Sequence, residues 1–164
     1  MLSTKYRSLL ASTVLGLAAA LTAMPAAAQF RNAEAAIKYR QSAMTLQGNH
    51  MGRVFAMING QAPFDAKVAA DNIEIVALLN SRAQFAAFID GSDKGNTNAK
   101  PEIWSEKDKF AAAVAKSQED VVKLAAAGKT GNLDQIKTAA GAVGQSCKAC
   151  HDTYKKATPY GFVA

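Results

Sequence analysis

Apolar residues return every three or four positions over long stretches of this chain, and no stretch alternates with the period of two that a half-buried strand needs. The pattern therefore predicts helices. The first is expected from about Ala33 to Ile58, with Ile37, Gln41, Met44, Gly48, Met51 and Phe55 on one face. Asn32 supplies its N-cap, Glu34 lies in the first turn, and Asn59-Gly60 ends it. A second helix follows Pro63, from about Asp65 to Ser81, with Val68, Ile75 and Leu79 as its stripe and Ile73 and Val76 alongside. From Arg82 to Trp104 the chain turns irregular and polar, through Gly91 and Gly95, a long connection for a small bundle. Phe85 and Phe88 within it are expected to pack on the helices, with room for one short helical turn.

The third helix is predicted to start at a Ser105 cap with Asp108 at the third position, burying Phe110, Val114, Val121 and Leu124. Gly128 and Gly131 frame the next turn. Asn132 then caps a fourth helix that runs to about Lys156 and places Val143, Cys147, Cys150, His151 and Tyr154 on its inner face. Gly141 and Gly144 cost helix propensity and are expected to mark a close neighbour. Pro159 and Gly161 release the tail. Four amphipathic helices joined mostly by short loops point to an all-α protein, a four-helix bundle.

The first 28 residues belong to a different pattern. Lys5 and Arg7 precede an apolar run from Leu9 to Ala23, followed by Pro25 and the small triplet Ala26-Ala27-Ala28. That is the layout of a cleaved secretory leader, too short an apolar run for a membrane span. Residues 1–28 are therefore expected to be removed, and residues 29–164 to form one exported domain placed in the periplasm. The leader carries two basic residues and no acidic one, so a formal charge of +6 becomes +4. So modest an excess, with no basic cluster interleaved with aromatics, argues against a nucleic-acid partner.

The two cysteines of the chain stand together in Cys147-Lys148-Ala149-Cys150-His151. Two cysteines three apart followed at once by a histidine is the attachment spacing of c-type haem. On a helix the three side chains leave from one face, so each thiol can add to one haem vinyl group while His151 ligates the iron. A thioredoxin-like pair would need a strand before the motif, and a disulfide here would close too small a loop to stabilise much. Zinc could find four ligands in Cys147, Cys150, His151 and His50, but not as two separated pairs. His50, the other histidine, lies off the Met44 face and reads as a partly buried or surface residue. No serine–histidine–carboxylate set is present, so the chain reads as a haem carrier and not as an enzyme.

Beyond the haem motif, Lys38-Tyr39-Arg40-Gln41-Ser42-Ala43, Gly60-Gln61-Ala62-Pro63-Phe64-Asp65 and Lys100-Pro101-Glu102-Ile103-Trp104 carry a further likeness. Over Gln29 to Lys156 the chain resembles cytochrome c′, the class II c-type cytochromes. The resemblance implies an up-down-up-down antiparallel bundle with one covalently bound haem c. It implies haem contacts from Arg40, pairing a propionate, from Gln41, and from Asn98 and Ala99 at the haem edge, with Lys155 standing where some relatives have arginine. It also implies a homodimer through the first two helices, and Leu46, Val54 and Met57 lie off the Met44 stripe as added apolar surface.

Met44, one turn after Arg40, is expected over the distal face of the haem. Two functions divide on it. In one, the iron is five-coordinate and high-spin, binds nitric oxide or carbon monoxide, and exchanges electrons with a periplasmic redox partner. In the other, Met44 is the sixth ligand of a low-spin electron carrier; a haem-free thiol or zinc bundle is the remote third reading. Intact-mass measurement of the exported protein is expected to give residues 29–164 plus one haem that survives acid extraction. A thiol-bearing apo mass from cells competent in haem attachment contradicts it.

Overall fold

The computed structural model describes residues 29–80 and 82–157. The leader assigned to residues 1–28 and the tail from Pro159 lie outside the described residues. Helix α1 spans Ala33–Ile58, and the Asn32 side chain accepts the Ala35 amide at 2.8 Å. Helix α2 spans Ala66–Leu79, capped by Asp65 through the Val68 amide at 2.9 Å. Two single-turn helices follow, α3 at Arg82–Phe85 and α4 at Glu102–Ser105. The long helices α5 and α6 span Lys107–Thr130 and Leu133–Tyr154. Asn132 caps α6 by accepting the Gln135 amide at 3.0 Å. These caps satisfy orphan amides with a side chain three residues away, so they are local and legible.

The start of α5 differs from expectation. Ser105 does not cap it, because Pro101 begins a turn four residues earlier and Ser105 is consumed as the last residue of α4. Glu106 takes the cap position without a side-chain bond to the backbone, and its carboxylate accepts from Lys109 at 3.1 Å instead. At the other end Gly131 closes α5 in the left-handed region, φ 64°, where a β-carbon would be strained.

The four long helices form an up-down-up-down antiparallel bundle. Packing is most extensive between α5 and α6, then between α1 and α2 and between α2 and α5; the α1–α6 seam closes the ring with the thinnest contact. The core joins Met51, Val54 and Ile58 of α1, Ile73 and Val76 of α2, Val121 and Leu124 of α5, and Ile136, Ala140 and Val143 of α6.

Two helix faces are rotated from the predicted ones. In α1 the buried side is Ala36, Ile37, Arg40, Ala43, Gln47, Met51, Val54, Met57 and Ile58. Val54 and Met57, assigned to outer surface from the sequence, are core, whereas Leu46 is exposed. Gln41 is exposed, and Met44, Gly48 and Phe55 are only half-buried. In α2 the buried residues are Ala69, Asn72, Ile73 and Val76, and Val68 and Ile75 face outward. Both helices are apolar on more than one side, so periodicity alone does not say which side meets the core.

The connection between α2 and α5 is held by a buried charge. Arg40 is 2% exposed. Its Nη1 donates to the Ala87 carbonyl at 3.1 Å and to Ser92 Oγ at 2.7 Å. Its Nη2 donates to the Ser92 carbonyl at 2.6 Å and to Thr97 Oγ1 at 2.9 Å. The guanidinium also lies 4.6 Å from the Phe88 ring centroid and 5.8 Å from that of Trp104. All four hydrogen-bond partners are neutral, and burial lowers the Arg40 pKa to about 10, which leaves the group charged at neutral pH. Arg40→Met is expected to strand these acceptors and cost about 3–5 kcal/mol in a guanidinium unfolding titration of the holoprotein. Arg40→Lys is expected to recover little, since an ammonium cannot reproduce the fork. A loss below about 1 kcal/mol contradicts the clamp.

Candidate functional site

Helix α6 carries Cys147, Cys150 and His151 in its C-terminal half, at helical steps of three and four, so they share one face. Cys147 packs against the core and Cys150 is half-buried; they are not bonded to each other. Burial raises the Cys147 pKa, with a further push from the negative charge of Asp120 on α5. Burial pushes Cys150 up to about 11, aided by Cys147. Both thiols are therefore protonated at neutral pH. His151 is exposed by area, yet the protein around the ring desolvates it and lowers its pKa; Lys155 adds to that shift and Asp152 opposes it. Its imidazole is thus held in the neutral form that can ligate a metal.

On α1, Met44, Gly48 and Phe55 are half-buried. Helix α1 runs antiparallel to α6, which brings its N-terminal half alongside the C-terminal half of α6. At Gly144 the two helices approach so closely that a β-carbon would meet Phe55 Cζ at 3.2 Å. The expectation of a close neighbour holds there and fails at Gly141, where a β-carbon would meet nothing within 4 Å.

The remaining predicted residues divide into two places. Gln41 donates from Nε2 to the Asn96 carbonyl at 2.9 Å, so it joins Arg40 in tying α1 to the connection. The Arg40 Nη donors are all engaged inside the protein, which leaves only Nε for an outside acceptor. Asn98 and Ala99 lie against the end of α6. The Asn98 carbonyl accepts from the Lys156 amide at 2.7 Å, and Ala99 pairs with Lys155 in an isolated antiparallel bridge. His50 is elsewhere, with Nδ1 2.8 Å from Asn72 Oδ1 on α2. The four-ligand zinc set is not assembled, and no group of three potential metal ligands occurs among the described residues.

Sequence reasoning missed two residues near this site. Asp120 is buried at 1% exposure and ion-paired with Lys116 on the same helix, and its charge reaches Cys147. Lys100 sits at the end of α6, where its ammonium donates to backbone carbonyls. Neither has a signal in local periodicity, because each acts across helices.

The donor chemistry fits haem c. Two neutral thiols one turn apart can each add across a vinyl group, and a neutral imidazole follows on the same face. No described helix is long and apolar enough to cross a membrane.

A family model for cytochrome c′ matches residues 35–155. Cytochrome c′ of Rubrivivax gelatinosus is 54% identical over 129 residues, covering 78% of this chain and 99% of the relative. That of Alcaligenes xylosoxydans xylosoxydans is 46% identical over 128 residues, covering 78% and 98%. The crystal structure of the Rubrivivax gelatinosus protein superposes with a TM-score of 0.75 at 53% identity, over 77% of this chain and 99% of that one. A nitric oxide complex of an Alcaligenes xylosoxidans cytochrome c prime variant superposes at 0.73 with 44% identity, covering 78% and 99%. A carbon monoxide-bound variant of that protein gives the same TM-score and coverage. This chain belongs to the cytochrome c′ family, whose members bind one covalently attached haem c.

Proposed function

We propose that this protein is an exported gas-binding c-type cytochrome with a five-coordinate iron, in which Cys147 and Cys150 form the thioethers and His151 is the sole protein ligand. The observation that carries the reading is the single face of α6 that carries two neutral thiols and a neutral imidazole together. The nitric oxide and carbon monoxide complexes of its Alcaligenes relative support the same ligand class. When bound, haem would supply an iron able to take a diatomic ligand. The chain supplies everything that selects what enters there.

Met44 is the side chain placed to fill the distal face. Methionine is unbranched and flexible, so it can pack over the iron and swing aside for a diatomic ligand. Its thioether donates no hydrogen bond, so bound dioxygen gains nothing from it, whereas nitric oxide and carbon monoxide depend less on a donor. Asn98 and Ala99 from the connection and Gln41 and Arg40 from α1 frame the haem edge, Arg40 through its remaining Nε. The leader at residues 1–28 supports a periplasmic location, and the iron serves electron exchange with an acceptor or donor there. No residue set supports catalysis beyond the iron.

The dimer belongs to this reading. Tyr39 and Leu46 on α1 and Val68, Ile75 and Leu78 on α2 are exposed apolar residues on two helices that pack on each other. A patch of that kind seeks a partner, and a second copy through α1 and α2 covers it. Sedimentation of the holoprotein at micromolar concentration is expected to show a dimer, and Leu78→Lys is expected to shift it toward monomer. A parent protein still monomeric at millimolar concentration contradicts this.

The iron itself is tested by spectra of the ferrous protein with and without Met44. The parent is expected to be high-spin and to bind carbon monoxide without losing a ligand. Met44→Ala is expected to leave the resting spectrum unchanged and to speed carbon monoxide binding on the order of tenfold, the effect of lowering the barrier by about 1.4 kcal/mol. A low-spin spectrum with a methionine–iron charge-transfer band, abolished in Met44→Ala, assigns the protein instead as a six-coordinate electron carrier.

A further inference from the structure

The stretch from Lys100 to Trp104 is part of the family likeness, yet nothing above gives Lys100 a task. A helix leaves its last four carbonyls without intrahelical donors. In α6 these belong to His151, Asp152, Thr153 and Tyr154. The Lys155 amide donates to the His151 carbonyl at 3.0 Å. The other three are met by one residue from the connection. Lys100 Nζ donates to the Asp152 carbonyl at 3.2 Å and to the Thr153 carbonyl at 3.0 Å. The Lys100 backbone amide donates to the Tyr154 carbonyl at 2.9 Å. The ammonium also stands at the negative end of the helix dipole, where a cation is favoured.

Lys100 is itself held from the other side. Thr97 Oγ1, which accepts from Arg40, also accepts from the Ala99 amide at 3.1 Å. A run of hydrogen bonds therefore links Arg40 on α1, through Thr97, Ala99 and Lys100, to the turn of α6 that begins with His151. Helix ends open more readily than helix middles, and here the end carries the residue assigned to the iron.

We propose that Lys100 is a positioning residue for the proximal histidine, holding the last turn of α6 closed so that the His151 ring keeps one orientation toward the iron. The inference rests on the assignment of His151 as ligand. Lys100→Met in the holoprotein removes the ammonium and keeps the backbone bond to Tyr154. Amide exchange at Lys155 and Lys156 is expected to quicken roughly tenfold, as befits the loss of two hydrogen bonds to a charged donor. The iron–histidine stretching band in the resonance Raman spectrum of the ferrous protein is expected to shift and broaden. Lys100→Arg, which can still donate two bonds, is expected to restore both signals. Lys123→Met, which removes an exposed ion pair with Glu119 on α5 and no hydrogen bond to α6, is expected to change neither. Faster exchange with an unmoved iron–histidine band reduces Lys100 to a helix cap and overturns the proposal, as does a Lys100→Met protein identical to its parent in both. Absence of that band from a parent whose ferrous spectrum is high-spin removes the His151 assignment and this inference with it.

Discussion

A guanidinium buried among neutral acceptors is the constraint on which the rest of this structure depends. Arg40 cannot shed its charge at neutral pH, so α1 can adopt its place only if the connection wraps the group with oxygens and aromatic faces. The connection has no regular structure of its own from Ala86 to Lys100, and it gains a defined course from this one side chain. Its aromatic residues then continue the packing. Phe88 lies edge-on to Phe110 at 5.0 Å, and Phe110 lies edge-on to Tyr154 at 5.2 Å, so the clamp on α1 is joined through ring contacts to the last turn of α6.

The same arrangement separates a firm side of the bundle from a thin one. Helices α2, α5 and α6 share the apolar centre, with Ile73, Val76, Leu124, Ile136 and Val143 all essentially inaccessible. Gly128 belongs to that side, since a β-carbon there would meet Ile73 Cδ1 at 3.2 Å, closer than ordinary contact. The α1–α6 seam is different, because Met44, Gly48 and Phe55 stay half-buried beside the half-buried thiols.

What could be read from the chain alone follows how local each feature is. Asn32 and Asn132 cap their helices through bonds spanning three residues, as expected, and Asp65, expected as the first residue of α2, caps it by the same kind of bond. Ser105 fails because a proline four residues upstream starts a competing turn. The attachment motif is contiguous, so its three side chains were legible as one face. Arg40 and Gln41 were singled out by resemblance, but their bonds to Ser92, Thr97 and Asn96 cross more than fifty residues and no periodicity encodes them. The orientation of α1 and α2 was illegible for another reason. Both carry apolar residues on two sides, and only the packing of the whole bundle decides that Val54 and Met57 turn inward while Leu46 and Val68 turn outward.

That two-sidedness bears on function as well as on fold. A helix with one apolar face can serve one neighbour, whereas α1 serves three. Its Val54 and Met57 side meets the core, its Met44 and Phe55 edge looks toward α6, and its Tyr39 and Leu46 side faces outward. A displacement of α1 at any one of these surfaces therefore acts on the other two. Arg40 lies within this helix, one turn before Met44, and is bonded to the connection that ends on the His151 turn. On the proposed assignment of Met44 and His151, both are thus referred to the same fixed point, and the protein sets the spacing between them.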